Sequence, residues 1–189
     1  MEPNLIQQTI RQRRSIFPAS YDGREIPRDS LVRILECAHS APTHKRTQPW
    51  HFVVFEKTAL SGLARQVGKT YKEQTSPEKY SEKKEESLLL KINQAGAVIA
   101  ICVRYTGELP DWEELAATSC AVQNLWLAAA SEGIGGYWST PGFAKHLHKY
   151  LELDEDQVCL GFFYLGYHKE PVRNPLRNPL DQHVRWITK

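Results

Sequence analysis

The stretch Asp111–Thr140, DWEELAATSCAVQNLWLAAASEGIGGYWST, determines how this chain must fold. Residues 115–130 are almost all apolar or small and lack the polar face of a surface helix, which predicts a helix buried on all sides. A chain of 189 residues could cover such a helix with its own elements or with a second copy of itself. We favour the second copy, and therefore a homodimer.

The ends of this helix carry recognisable signals. Asp111 follows a proline and is predicted to cap the first turn, with Glu114 at the spacing of a capping box. Gly133 suits the end of the helix because glycine readily adopts positive φ. Residues 134–140 then predict a short strand or turn, in which Gly135 and Gly136 allow close approach of a flat ligand or a neighbouring element.

Composition narrows the class of protein. The length suits one domain over residues 1–189, and a net charge of +2 does not favour nucleic acid or an anionic membrane as partner. No apolar run reaches the ~18 residues of a membrane span, and the N-terminus lacks a signal-peptide pattern. The four cysteines are far apart in apolar surroundings, so we expect core thiols in a reducing, cytoplasmic compartment: Cys37, Cys102, Cys120 and Cys159.

Elsewhere, helical and strand patterns alternate, which predicts an α/β or α+β sandwich. The expected helices are one capped by Asn4 and those over 29–38, 60–67 and 143–151; the expected strands are 51–56, 97–103, 160–165 and a β-like tail at 184–187. The charged segment 69–91 is predicted to be exposed and helical or partly mobile. Residues 170–180 contain three prolines and cannot form a regular element.

Four pieces of the sequence, in this order, resemble the nitroreductase family of FMN-dependent oxidoreductases. Arg13-Arg14-Ser15 follows the first helix, and Ala41-Pro42 through Gln48-Pro49-Trp50 precedes a strand. The core helix 121–130 is followed by Gly133-Ile134-Gly135-Gly136-Tyr137-Trp138, and Arg177-Asn178-Pro179-Leu180 lies near the C-terminus. Together these pieces cover essentially the whole chain, and its length is similar to that of the family's minimal members.

The resemblance implies an α+β mixed-sheet sandwich, an intertwined homodimer with two FMN sites at the interface, and a C-terminal extension that reaches the partner. It implies phosphate binding by Arg13, Ser15 and Arg177, a polar loop from the other subunit at the pyrimidine edge, and an apolar wall after the core helix. The implied FMN-binding residues are Arg13, Arg14, Ser15, Pro42, Thr43, His44, Arg46, Trp138, Ser139, Thr140 and Arg177. No catalytic side chain is required, because the cofactor carries the chemistry.

Each of these features has a simpler interpretation. The arginine cluster could complement the dipole of the first helix at a solvated surface, His44 could be a surface histidine, and Trp138 a core aromatic. The sequence departs from the family at Phe17, two residues after Ser15, where many relatives carry a cation that meets the flavin N1/O2 edge. Arg46 or Arg14 could replace that cation; otherwise the flavin is a weaker oxidant.

The resulting functional prediction is transfer of hydride from NAD(P)H through FMN to a small electron-poor acceptor, a nitroaromatic or quinone, by a ping-pong mechanism. Two alternatives remain. One is another flavin reaction of the same family, dehalogenation or flavin cleavage, and the other is FMN binding without turnover, as a carrier or sensor. The sequence contains no dinucleotide-binding glycine fingerprint, and His146 and His148 are not spaced to share a helix face, so no metal is predicted.

Overall fold

The structure, a computed structural model, describes residues 4–171 and 173–188. Its regular elements, in chain order, are α1 (Leu5–Gln12), α2 (Arg28–His39), β1 (Trp50–Glu56), α3 (Ala59–Glu73), α4 (Glu82–Asn93), β2 (Ala97–Arg104), α5 (Asp111–Ser131), β3 (Ile134–Ser139) and β4 (Gln157–Tyr167). Short 3₁₀ turns lie at 18–20, 44–46, 144–147 and 180–182. No helix in these ranges has the length and apolarity needed to cross a membrane.

The four strands form one sheet in the order β1-β2-β4-β3, and every neighbouring pair is antiparallel. One face of the sheet packs against α3, α4 and the turn at 144–147, and the other packs against α2 and α5. The expected α+β sandwich is therefore confirmed. Its sheet is less mixed than expected, because the parallel pairing among the described residues is a single bridge between Ser15 and Gly136.

Helix α5 begins at Asp111, but its N-terminus is built differently from the prediction. Pro110 is the capping position, and no side chain caps the first turn. The Glu114 carboxylate is fully buried and accepts hydrogen bonds from Thr106 N (2.9 Å) and Thr106 Oγ1 (2.7 Å). The predicted capping box is therefore wrong, because Glu114 instead holds the loop between β2 and α5. Gly133 follows the helix with φ of 72°, as predicted.

A single chain does not bury α5 on all sides. Ala121 and Leu125 are buried against the sheet, whereas Trp112 is 67% exposed and Leu115 and Cys120 are also exposed. Cys37 is exposed as well, so the core-thiol interpretation is wrong for these two cysteines; Cys102 and Cys159 are buried as expected. The exposed side of α5 is the face that a second copy was expected to cover.

Three other elements differ from expectation. Segment 69–91 contributes Thr70, Tyr71 and Leu88 to the interior, because the ends of α3 and α4 pack on each other and the sheet. The helix predicted at 143–151 is a 3₁₀ turn at 144–147 followed by turns. The tail at 184–187 is not a strand, since it has no strand partner among the described residues.

The remaining helices and strands follow the sequence, except that the short helix predicted over 60–67 is the longer α3, of 15 residues. Asn4 forms a reciprocal capping box with Gln7, and α2 matches its prediction within one residue at each end. Strands β1, β2 and β4 extend the predicted runs, although β1 is only half-buried because it is an edge strand. These agreements come from strong local patterns.

Tyr21 connects the segment after α1 to the centre of the sheet. Its hydroxyl lies 2.9 Å from the carbonyl oxygen of Ile16 and 3.1 Å from that of Tyr164, and Ile16 N donates to Gly136 O at 3.0 Å. Burial, and secondarily the neighbouring Tyr164, raises the pKa of Tyr21, so the hydroxyl stays protonated. Residues 13–17 are thereby fixed against β3 and β4.

We expect Tyr21→Phe to reduce the free energy of unfolding by about 1–2 kcal/mol, because two buried carbonyl oxygens lose their shared donor. Urea denaturation measures this. Tyr80→Phe is the matched control, since it removes a hydroxyl bonded to the surface carboxylate of Glu85 at 2.6 Å. An equal loss in both variants would contradict a special role for Tyr21.

Candidate functional site

The side chain of Arg13 is a partly buried cation without a counter-charge among the described residues. Arg13 is the residue at which α1 ends, and its guanidinium carbon lies 4.2 Å from the centroid of the Trp126 ring. Its Nη1 is buried without a hydrogen-bond partner, and no carboxylate in the described ranges pairs with it. Burial lowers the pKa of Arg13, and Arg14 and Arg177 lower it further. Three cations therefore lie close together.

Two adjoining clefts meet at Arg13. The larger, of about 540 Å³, lies between α1, the end of α5 and the start of β3. The smaller, of about 380 Å³, lies between residues 13–17 and residues 170, 171 and 173–177. The larger cleft includes Gly135 and Gly136. A Cβ added at Gly136 would lie 2.8 Å from Trp126 Nε1 and 2.7 Å from Phe163 Cζ, so only glycine permits this packing.

The other basic residues of the clefts have separate roles. Arg14 donates to the carbonyl oxygens of Arg11 (2.6 Å), Arg13 (2.6 Å) and Arg173 (2.8 Å), and so ties the two segments together. Arg177 donates to the carbonyl oxygen of its own neighbour Leu176 at 2.8 Å. The structure thus brings together four of the residues implied by the sequence: Arg13, Arg14, Ser15 and Arg177.

One carboxylate, Glu170, lines both clefts. It accepts a hydrogen bond from Ser20 Oγ at 2.8 Å and pairs with Arg173. The Ser20 hydroxyl, together with Arg173, lowers the pKa of Glu170. Because Glu170 is paired with Arg173, it does not neutralise Arg13.

The loop at 42–48 has an unusual backbone. Three residues without the freedom of glycine have positive φ: Lys45 (49°), Arg46 (58°) and Gln48 (45°). Internal bonds hold the loop, since Gln48 N donates to Thr43 Oγ1 at 3.1 Å. Backbone strain of this kind costs on the order of 1 kcal/mol or more per residue and clusters at functional sites.

Within one chain this loop does not reach the arginine-lined clefts. His44 Nδ1 lies 2.7 Å from Glu113 Oε2, in the first turn of α5. Trp126 lies in the second half of α5, about 20 Å further along the helix at ~1.5 Å per residue. The structure therefore separates Pro42, Thr43, His44 and Arg46 from Arg13.

The end of β3 forms a wall with close backbone packing. A Cβ added at Gly161 would lie 2.2 Å from Ser139 O, so β4 passes directly against β3 there. Trp138 packs on the α2 and α5 side of the sheet, as the core-aromatic interpretation expects, but its Nε1 is buried without a partner. Ser139 is half-buried and Thr140 is exposed.

Sequence reasoning missed Lys91, in the last turn of α4. Its ammonium lies 5.9 Å from the centroid of the Tyr137 ring, and Phe17 lies on the same ring at a centroid distance of 4.6 Å. Within the described ranges, the Lys91 ammonium has no carboxylate partner. The approach of Lys91 to Tyr137 depends on the packing of α4 and could not be found from spacing. Elsewhere in the described parts of the chain, no cluster of His, Cys, Asp and Glu could hold a metal ion.

The fold and its clefts define an α+β sandwich with a cation-lined cleft at the end of its central helix. Residues 10–167 match the model of the Nitroreductase family, and the chain belongs to that family. The protein YfhC of Bacillus subtilis, named as a candidate NAD(P)H nitroreductase, is 26% identical over 180 residues, which cover 94% of this chain and 91% of YfhC.

Solved structures agree with this fold. The nitroreductase-like family protein of Bacillus cereus superimposes with a TM-score of 0.82 at 21% identity, covering 99% of this chain and 98% of that protein. The FMN-dependent nitroreductase NfnB of Mycobacterium smegmatis, solved in complex with NADPH, gives a TM-score of 0.77 at 18% identity and covers 96% and 97% of the two chains. The nitroreductase fold expected from the sequence is therefore confirmed.

Proposed function

We propose that this protein is an FMN-dependent oxidoreductase that takes hydride from NAD(P)H and passes it to a small electron-poor acceptor, a nitroaromatic or quinone, by a ping-pong mechanism. The observation that carries the proposal is Arg13, a partly buried cation without a carboxylate partner among the described residues, beside Arg14 and Arg177. A phosphate dianion supplies the missing negative charge and accepts charge-assisted hydrogen bonds.

The residues present suit FMN. Arg13, Ser15 and Arg177 would hold its phosphate, and the wall formed by residues 138–140 would support its ring system. When bound, FMN supplies the hydride chemistry, and the protein supplies position and electrostatics. The names of YfhC and NfnB support this assignment, since one refers to NAD(P)H and the other to FMN and NADPH.

The polar loop at 42–48 indicates that the working unit is a homodimer. In one chain the loop and the arginine-lined clefts lie at opposite ends of α5. A two-fold axis that places two copies of α5 antiparallel brings the loop of one subunit beside the clefts of the other. His44, Thr43 and Arg46 would then contact the flavin of the partner subunit.

Exposed apolar side chains support the same assembly. They occur on α1, on the outer side of α5 and in the C-terminal tail: Leu5, Ile6, Ile10, Trp112, Leu115, Leu176, Trp186 and Ile187. Large apolar side chains left exposed on several elements are what an interface between two subunits would cover. Each subunit would then consist of one domain over residues 1–189, with its tail available to the partner.

The reaction is tested by spectroscopy. The purified protein with FMN should show a protein-bound flavin spectrum, lose the band near 450 nm on anaerobic addition of NADPH or NADH, and regain it on addition of a nitroaromatic or quinone. Bound flavin that neither cofactor reduces would identify a carrier, and flavin consumed during turnover would identify a flavin-cleaving enzyme. Failure to bind FMN would overturn the proposal.

For the dimer, light scattering at micromolar concentration should give about twice the chain mass of 21.7 kDa. Trp112→Glu places a charge on the exposed side of α5 and should dissociate the dimer and release FMN together. Leu90→Glu is the matched control, because Leu90 is an exposed apolar residue on α4. A monomeric wild type that still binds FMN would contradict a site shared between subunits.

The structure also suggests which cation replaces the one missing at Phe17. Arg14 is engaged with three backbone carbonyls, and Arg46 would approach a flavin only from the loop of the partner subunit. Lys91 approaches the ring of Tyr137, on which Phe17 also packs. We propose that Lys91 stabilises the negative charge of the reduced flavin at its N1/O2 edge.

Lys91→Met should then lower the flavin midpoint potential by about 30 mV, the equivalent of about 1.4 kcal/mol for a two-electron couple. Phe17→Lys in the Lys91→Met background should restore it. Lys84→Met is the control, since Lys84 lies on the same helix with its ammonium 5.4 Å from the ring of Tyr71. Photoreduction against a reference dye gives the potentials, and an unchanged potential in Lys91→Met would rule out this role.

A further inference from the structure

Trp126 is the side chain that holds Arg13, and the function proposed above does not use it. The guanidinium of Arg13 lies 4.2 Å from the indole centroid, and both residues line the larger cleft. We propose that Trp126 is a positioning residue for phosphate binding: it presents Arg13 to the FMN phosphate through a cation–π contact. This inference rests on the proposed function, because it assumes that the anion is the phosphate of FMN.

Trp126 can serve as a platform because the core fixes its ring. The ring meets Phe163 edge-on, with centroids 5.2 Å apart and an interplanar angle of 85°. Phe163 is fully buried in β4 and is paired with Trp138 in the register of β3 and β4. Phe163 and the backbone at Gly136 therefore support the indole from the side of the core.

Gly136 makes room for this arrangement. A Cβ there would lie 2.8 Å from Trp126 Nε1, and the same glycine accepts the hydrogen bond from Ile16 N that anchors the segment after α1. Gly136 thus brings the segment that carries Arg13 and the ring that supports Arg13 to one point of β3.

The cation–π contact with Trp126 compensates for the missing counter-charge of Arg13. No carboxylate among the described side chains holds its guanidinium, so without the indole face a long side chain would be free to sample several rotamers. The face of an indole attracts a guanidinium, and the attraction strengthens when the pair is shielded from water. Burial of Nη1 leaves the other guanidinium nitrogens as donors for an anion in the cleft. An arginine already held in place loses less freedom when the phosphate binds.

A merely structural role for Trp126 makes a different prediction. If Trp126 only fills space behind β3, its loss would weaken the binding of FMN and riboflavin alike. If Trp126 acts through Arg13, its loss removes only the contribution of the phosphate to FMN affinity and leaves riboflavin affinity unchanged. Riboflavin, which lacks the phosphate, is therefore the internal control.

The experiment is a double-mutant cycle on dissociation constants, measured by quenching of flavin fluorescence for FMN and for riboflavin. Arg13→Ala should weaken FMN binding about ten- to a hundredfold through loss of a charge-assisted bond. Trp126→Leu should weaken it about three- to thirtyfold, and Trp126→Phe, which keeps a smaller ring, by less. The double variant should bind FMN no more weakly than Arg13→Ala alone, and riboflavin binding should be unchanged throughout.

Two results would overturn the inference: equal losses for FMN and riboflavin in Trp126→Leu, or losses from Arg13→Ala and Trp126→Leu that multiply in the double variant. Thermal unfolding of each variant checks that it folds. If Trp126→Leu does not fold, the comparison of FMN with riboflavin is made with Trp126→Phe. Failure of the proposed function gives a different result, since the wild type would then show no preference for FMN over riboflavin.

Discussion

The burial of α5 is the constraint on which the rest of the structure depends. One side of this helix closes the core against the sheet through Ala121 and Leu125, and its two ends organise the two halves of the candidate site. The first turn holds the loop at 42–48 through Glu113, and the second half supplies Trp126 beneath Arg13. Because α5 is rigid over about 30 Å, these halves cannot meet within one chain. The apolar side that the chain leaves uncovered is where a second subunit would join them.

Positive charge is concentrated at the C-terminal end of α5. Three arginines converge near the end of α5, while the one carboxylate that lines both clefts, Glu170, is paired with Arg173. A partly buried cation without a counter-charge is unfavourable unless a ligand supplies that charge. Burial lowers the pKa of Arg13, and the neighbouring Arg14 and Arg177 lower it further. The same excess of positive charge would favour a phosphate dianion in the cleft.

Much of the fold could be predicted from the sequence, because its signals are local. The cap at Asn4, the helical period of α2 and the apolar runs of β2 and β4 are read within a few residues. The wrong predictions arise where contacts between residues distant in the chain decide the role of a side chain. Glu114 matches a capping box locally but is bound by Thr106, and the charged segment 69–91 hides buried side chains such as Tyr71. The approach of Lys91 to Tyr137 depends on how α4 packs, and no spacing rule contains that information.

The site shows the same division between local signal and packing. Arg13-Arg14-Ser15 could be recognised as a motif, but the motif does not distinguish the three roles found in the structure. Arg14 donates to backbone carbonyl oxygens, Ser15 bridges to β3, and Arg13 has a buried nitrogen without an acceptor among the described residues. What separates Arg13 from Arg14 is an indole face beneath one guanidinium and three carbonyl oxygens around the other. That difference depends on Gly136, because a side chain at this position would displace the indole. A glycine in a strand more than a hundred residues away in sequence thus helps to decide which arginine would be available to the proposed phosphate.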